Sequence, residues 1–110
     1  MTPATLNALN GSIRKWAAIV RSTRAKDKGK DNCPLCDVFL ADDCLGCPVA
    51  IRTRKMGCDG SPYIQWCDHQ EDNHPNREEN QRAPRCRPCL FFAKQELAFL
   101  QSLLPRTPKK

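Results

Sequence analysis

Apolar residues recur every three or four positions near the N-terminus, which is the spacing of one face of an α-helix. They are Leu6, Leu9, Ile13, Trp16, Ala17 and Val20. Thr2 and Pro3 suit a helix N-cap and a first-turn proline. We therefore predict an amphipathic helix over residues 1–25, which passes into the polar linker AKDKGKDN.

A second apolar pattern lies near the C-terminus, where two ridges repeat at helical spacing. One ridge is Leu90, Ala93, Leu97, Leu100 and Leu104, and the other is Phe92, Phe99 and Leu103. A helix that is apolar on two ridges is usually covered on two sides. We predict that residues 86–105 hold a cysteine pair and a helix ending at Pro105, and that 106–110 form a tail.

The middle of the chain is poor in apolar residues and rich in turn formers. Residues 33–67 contain six of the cysteines, and 68–85 form a polar stretch whose apolar residues are Ala83 and the prolines. We expect a loop-dominated, cysteine-rich body, with a short helix after Ser61, and then an exposed polar loop. The predicted fold is one domain over 1–110: metal-stabilised and mainly α, with both terminal helices packed on a zinc body.

Eight cysteines in 110 residues indicate either disulfides or metal sites. The longest apolar run near the N-terminus, Trp16 to Val20, is too short for a secretion signal, and no stretch is long enough to span a membrane. We therefore favour metal and expect the cofactor to be zinc, with two ions. The predicted ligands are Cys33, Cys36, Cys44, Cys47, Cys58, Cys67, Cys86 and Cys89.

How these thiols divide between two ions stays open. The nearest-neighbour division groups the first four and the last four cysteines, whereas a ribbon-like division joins Cys33 and Cys36 to Cys86 and Cys89. His69 or His74 could replace one thiol, and an iron–sulfur cluster would use the same ligands. A zinc ion with four thiolates has no open coordination position, which favours a stabilising role and a protein that is not an enzyme.

The formal net charge is +6, but two zinc ions with four thiolates each would lower it to about +2. A partner is expected on a basic surface, and it is either a protein, slightly favoured, or a nucleic-acid backbone. The candidate partner-binding residues are Arg14, Arg21, Arg24, Lys26, Arg52, Arg54 and Lys55.

A metal-dependent nuclease is the alternative function. His69, the asparagines after it and the following Cys-x-x-Cys pair loosely resemble the HNH endonucleases, in which His69 would be the general base. Leu90 and Phe91 stand where that family carries a metal-binding histidine, so the pattern is a weak one. An iron–sulfur or redox protein is a further alternative.

The segments CPLC, CLGCPVA, GCDGSPY and ELAFLQSLLP resemble those of small cysteine-rich, mostly uncharacterised zinc-type proteins of tailed bacteriophages and prophages. The resemblance implies a phage protein that works in the bacterial cytoplasm by binding host or phage machinery. It also implies that Cys58 is a ligand together with Cys33, Cys36, Cys44 and Cys47. It brings no established activity.

Overall fold

The computed structural model describes residues 1–22, 25–28, 32–39, 46–55, 60–74, 82–84 and 86–105. Within these ranges the chain forms five helices and no strand, so the mainly α prediction is confirmed there. One isolated antiparallel bridge joins Asp27 to Arg82. The helices are α1 (Pro3–Arg21), α2 (Pro34–Phe39), α3 (Pro48–Thr53), α4 (Pro62–Asn73) and α5 (Arg87–Ser102).

Helix α1 begins as its sequence predicts. The Thr2 hydroxyl accepts the backbone N–H of Thr5 at 3.1 Å, and Pro3 opens the first turn. Leu9, Trp16 and Ile19 lie on one face and are buried in the core. The helix ends at Arg21, earlier than predicted, because the backbone becomes extended at Ser22.

In the segment that was predicted to be loop-dominated, two short helices each begin at a proline that directly follows a cysteine. Pro34 opens α2 directly after Cys33, and Pro48 opens α3 directly after its N-cap residue Cys47. A proline in the first turn has a backbone angle that suits a helix, and its missing N–H would have no helical partner there. The described parts of 33–67 are therefore largely helical, with a cysteine at the start of each of these two helices.

Helix α4 extends into the region that was predicted to be a polar loop, through Asp68 to Asn73. Trp66 and Gln70, one turn apart, are both buried, so this face of the helix belongs to the core. Gln70 donates from Nε2 to the Cys89 Sγ at 3.3 Å and to the Ala83 carbonyl at 3.4 Å. Sequence periodicity does not reveal this face because a glutamine occupies an apolar position.

The core lies where α5 packs against both α1 and α4, and α2 packs against α1. The rings of Trp16 and Trp66 meet edge to face with centroids 5.2 Å apart, and Tyr63 meets Trp16 in the same way at 5.8 Å. The contact of the first helix with the last was expected from the two apolar ridges of α5.

Asp27 belongs to the predicted polar linker, yet its side chain is fully buried. Its carboxylate accepts hydrogen bonds from Lys15 Nζ at 2.8 Å, Tyr63 Oη at 2.9 Å and Trp66 Nε1 at 3.0 Å. Its backbone exchanges two hydrogen bonds with Arg82. The linker prediction is wrong at this residue, which ties α1, α4 and Arg82 together.

Candidate metal centre

Four side chains converge where the end of α4 meets the beginning of α5: His69, His74, Cys86 and Cys89. Their ligand atoms all lie within 4.8 Å of one another. The Cys86 Sγ is 3.1 Å from His69 Nε2, 3.7 Å from His74 Nε2 and 3.3 Å from the Cys89 Sγ, and Cys89 is 3.4 Å from His74. Tetrahedral zinc with sulfur at about 2.3 Å and nitrogen at about 2.0 Å has ligand atoms about 3.3–3.8 Å apart. The group can therefore hold a metal ion, and we call it the His/Cys site.

Local structure fixes each of these side chains. His69 lies in the second half of α4, and His74 is its C-cap, where the backbone N–H donates to the Gln70 carbonyl at 2.8 Å. Cys86 is the N-cap residue of α5, and Cys89 is buried in the first turn. The cysteine pair thus faces a histidine pair that the end of another helix presents.

Two amides support the His/Cys site. Gln70 donates to Cys89, as described above, and a hydrogen bond to sulfur favours its thiolate form. The Asn73 amide lies 3.0 Å from His69 Nδ1. It is the amide nitrogen that faces the ring, and it also donates to the His69 carbonyl at 3.1 Å. A neutral imidazole that binds metal through Nε2 carries its proton on Nδ1, so metal binding would require the Asn73 amide to turn its oxygen toward Nδ1 and give up that bond.

Three further predicted ligands, Cys33, Cys36 and Cys47, line one cavity elsewhere in the molecule. The backbone N–H of Cys36 donates to the Cys33 Sγ at 3.3 Å. Hydrogen bonding to Cys36 is the main cause that lowers the pKa of the Cys33 thiol to about 6, and Lys15 contributes in the same direction. These three cysteines therefore line one cavity apart from the His/Cys site, while Cys67, which the nearest-neighbour division groups with Cys86 and Cys89, is not part of that site.

Cys67 lies in neither place. It is half-buried on α4 near Tyr63 and Arg82, and burial raises the pKa of its thiol. Cys44 and Cys58 fall outside the residues that the structure describes, so their predicted ligand roles stay predictions. The six described cysteines form no disulfide with one another.

The histidines are the part of the His/Cys site that sequence reasoning ranked too low. They were interpreted chiefly as solvated residues of a polar loop, whereas both are half-buried and both face the cysteine pair. The available signal was the spacing His-x4-His followed by Cys-x2-Cys. It has the ligand spacing of a two-cysteine, two-histidine zinc site with the two pairs in reverse order.

The predicted partner-binding residues fall into three groups. Arg14, Arg21, Arg54 and Lys55 are exposed, whereas Lys26 is half-buried. Arg52 is exposed but donates to the Ser102 carbonyl at 3.1 Å, which holds α3 against the end of α5. Arg24 lies outside the described residues.

No protein-family model matches this chain, and neither the curated proteins nor the solved structures contain a significant match. Among the described helices, none combines the length and the apolar character that crossing a membrane requires.

Proposed function

We propose that this chain is a non-enzymatic zinc protein in which an ion at the His/Cys site joins α4 to α5. The observation that carries the proposal is the convergence of four ligand atoms from His69, His74, Cys86 and Cys89. Two thiolates and two imidazoles are a donor set that suits zinc. Because the protein supplies all four ligands, no coordination position is left for a substrate, and the ion stabilises the fold.

We further propose that the zinc-stabilised domain works as a binding module on host or phage machinery in the bacterial cytoplasm. A protein partner would contact the large apolar side chains that are exposed: Ile51 is 65% exposed, Phe91 57% and Val38 42%. A nucleic-acid backbone is the second candidate. Zinc with two thiolates and two neutral imidazoles carries no net charge, so this site leaves the chain near its formal +6.

The geometry favours His69 as a ligand over His69 as the general base of a nuclease. Its Nε2 lies 3.1 Å from the Cys86 Sγ, and its Nδ1 faces Asn73. A general base needs a ring nitrogen that can reach the attacking water. Incubating the protein with plasmid and magnesium tests this alternative, and cleavage that disappears in His69→Ala would establish it.

Metal content decides the zinc proposal. Native mass spectrometry of the full chain should show zinc, and Cys89→Ser should lose the ion at the His/Cys site. Cys67→Ser is the matched control, because Cys67 is a half-buried thiol on α4 that lies outside the site. Equal zinc content in both variants would contradict the proposal. Visible absorbance of the purified protein would point to an iron–sulfur cluster instead.

The salt dependence of binding distinguishes a nucleic-acid partner from a protein partner. Binding to a nucleic-acid backbone falls steeply as salt rises, because each phosphate contact releases counterions. Titration of a labelled DNA duplex at two salt concentrations, with Arg14→Ala and Arg21→Ala as variants, measures this dependence. An Ile51→Ser or Phe91→Ser variant that loses a partner captured from host lysate, while DNA binding is absent, would support the protein partner.

A further inference from the structure

A groove lies between α1 and the part of the chain that leads into α2. Its wall on α1 consists of Gly11, Lys15 and Ala18, which share one face of the helix because they are four and three residues apart. The opposite wall consists of Ala25, Lys26, Lys28, Asn32 and Pro34. The groove has a volume of about 640 Å³. We call it the lysine groove.

The buried Asp27 explains why two lysines face this groove. Asp27 pairs with Arg82 in an isolated antiparallel bridge, and successive side chains of such extended backbone point to opposite sides. Because the Asp27 side chain points into the core, Lys26 and Lys28 on either side of it point outward. Asn32 holds this backbone in place, since its Oδ1 accepts the Lys28 N–H and its Nδ2 donates to the Lys26 carbonyl, each at 2.9 Å.

The charge of the groove is positive. Among the described residues that line it there are three lysines and no carboxylate. Lys15 forms an ion pair with the buried Asp27, and Lys26 and Lys28 add two further positive charges. The exposed Arg14 adds another at the edge of the groove, because its guanidinium lies 3.8 Å from the position that a Cβ atom of Gly11 would take.

We propose that the lysine groove binds the phosphate backbone of a nucleic acid. The inference rests on the proposed function as a binding module and names the site of its nucleic-acid partner. Protein interfaces depend on large apolar or aromatic anchors near their centre, whereas phosphates need only cations and hydrogen-bond donors. The described lining of the groove contains lysines and small residues but no large apolar or aromatic side chain, so it matches a phosphate backbone better than a protein surface.

The same lining indicates that binding does not depend on base sequence. Among the described residues of the groove, Asn32 is the side chain best suited to pair with a base edge. Its amide is already bonded to the backbone at Lys26 and Lys28. Contacts to phosphates position a nucleic acid without reading its sequence.

The salt dependence of DNA binding tests the site. Fluorescence anisotropy with a labelled duplex and the zinc-loaded full chain gives the affinity between about 50 and about 200 mM salt. The double variant with Arg14→Ala and Lys28→Ala should reduce the slope of log affinity against log salt by about 1.8, since each lost phosphate contact contributes about 0.9. Arg54→Ala combined with Lys55→Ala removes the same charge from exposed residues that do not line the groove, and it should keep the wild-type slope. Equal reductions in the two double variants would mean that net charge attracts the DNA, which would overturn the proposal.

A second variant leaves every cation in place. Ala18→Glu puts a carboxylate into the wall of the groove, so it should lose DNA binding through repulsion of the phosphates. Ala98→Glu makes the same substitution at an exposed position of α5 and is the matched control, which should keep the binding. Equal affinities in these two variants would also overturn the proposal.

The outcomes separate this inference from the zinc proposal. A zinc-loaded wild type that binds no DNA at about 50 mM salt would refute the groove and leave the zinc site standing. A chain without zinc that still binds DNA, and loses it in Ala18→Glu, would support the groove and refute the zinc site. If Ala18→Glu instead loses a protein captured from host lysate while DNA binding is absent, the groove binds protein and the nucleic-acid proposal is wrong.

Discussion

The Asp27 cluster and the His/Cys site are both groups of polar side chains packed together inside a small domain, but they are completed differently. The Asp27 carboxylate receives a cation and two further donors from the protein itself, namely Lys15, Tyr63 and Trp66. The His/Cys site instead gathers two thiols and two imidazoles, all of which can donate electron pairs to one point. One cluster is satisfied by the chain, whereas the other could hold a metal ion.

This difference distinguishes a structural polar cluster from a metal site. A buried carboxylate is tolerated when it is paired and hydrogen-bonded. Thiols and imidazoles at tetrahedral spacing stabilise one another little when no cation is bound. Binding of a cation would therefore contribute directly to the free energy of folding. The two regions should therefore differ in their response to chelators, which should affect the His/Cys site directly and the Asp27 cluster not.

Removing the metal should have the largest effect. We expect a strong chelator, or Cys89→Ser, to unfold much of the domain, because structural zinc contributes on the order of 10 kcal/mol. Circular dichroism melts with and without chelator measure this effect, with Cys67→Ser as the control that retains the zinc-dependent melt. A chelated protein with an unchanged melting temperature would mean that the His/Cys site, like the Asp27 cluster, is complete without an ion.

Asp27→Ala should have the next largest effect, about 3–5 kcal/mol, because it leaves Lys15 uncompensated and two buried donors without an acceptor. Urea denaturation of the zinc-loaded protein measures the free energy of unfolding. Zinc stoichiometry should stay as in the wild type, since Asp27 lies outside the His/Cys site. Asp37→Ala is the exposed control and should lie within about 0.5 kcal/mol of the wild type. A loss of zinc in Asp27→Ala would show that the two regions depend on each other.

Asn73→Ala should weaken zinc binding about 10–100-fold, equivalent to about 1.4–2.7 kcal/mol, while leaving the fold intact. The variant removes the amide that faces His69 Nδ1. Chelator competition gives the affinity, and Asp72→Ala, its exposed neighbour on α4, is the control. Identical affinities in the two variants would mean that Asn73 does not orient the ring.

The pH dependence of stability tests the position of Tyr63 in the Asp27 cluster. It is the single tyrosine of the chain, and burial, followed by the charge of Asp27, raises its pKa well above the ordinary value. The folded state therefore keeps the phenol protonated when the unfolded state begins to lose the proton, near pH 10. Stability should fall as pH rises above 10, by about 1.4 kcal/mol per pH unit well above that value. Tyrosinate absorbance should appear only together with unfolding, and its appearance in the folded protein near pH 10 would contradict the buried hydrogen bond to Asp27.

The two regions also differ in how far the sequence predicts them. Cysteine pairs at short spacing are candidate metal ligands because both sulfurs come from one turn, and Cys86 and Cys89 do lie in one group that could hold a metal ion. The terminal helices follow from periodicity in the same way. The lysine, tyrosine and tryptophan that surround Asp27 lie 12, 36 and 39 residues away from it. No local pattern reports such partners, and an aspartate among lysines resembles an ordinary solvated linker.

The two histidines and Glu96 are intermediate in how far the sequence predicts their positions. Their residue types permitted a role, but the polar neighbours of His69 and His74 resembled an exposed loop until the buried face of α4 was known. Glu96 lies between apolar residues of α5 and is 4% exposed, which the apolar ridges of the helix do not indicate. In both cases the packing of α5 decides which polar residues face inward.

The contact between Gly11 of α1 and Pro34 at the start of α2 has a consequence for sequence evolution. A Cβ atom at position 11 would lie 3.0 Å from the Pro34 Cγ, closer than side-chain atoms normally approach. Pro34 directly follows Cys33, so any adjustment would displace a cysteine that lines the same cavity as Cys36 and Cys47. We therefore expect homologues with alanine at position 11 to carry a residue smaller than proline at position 34, so that the two positions vary together.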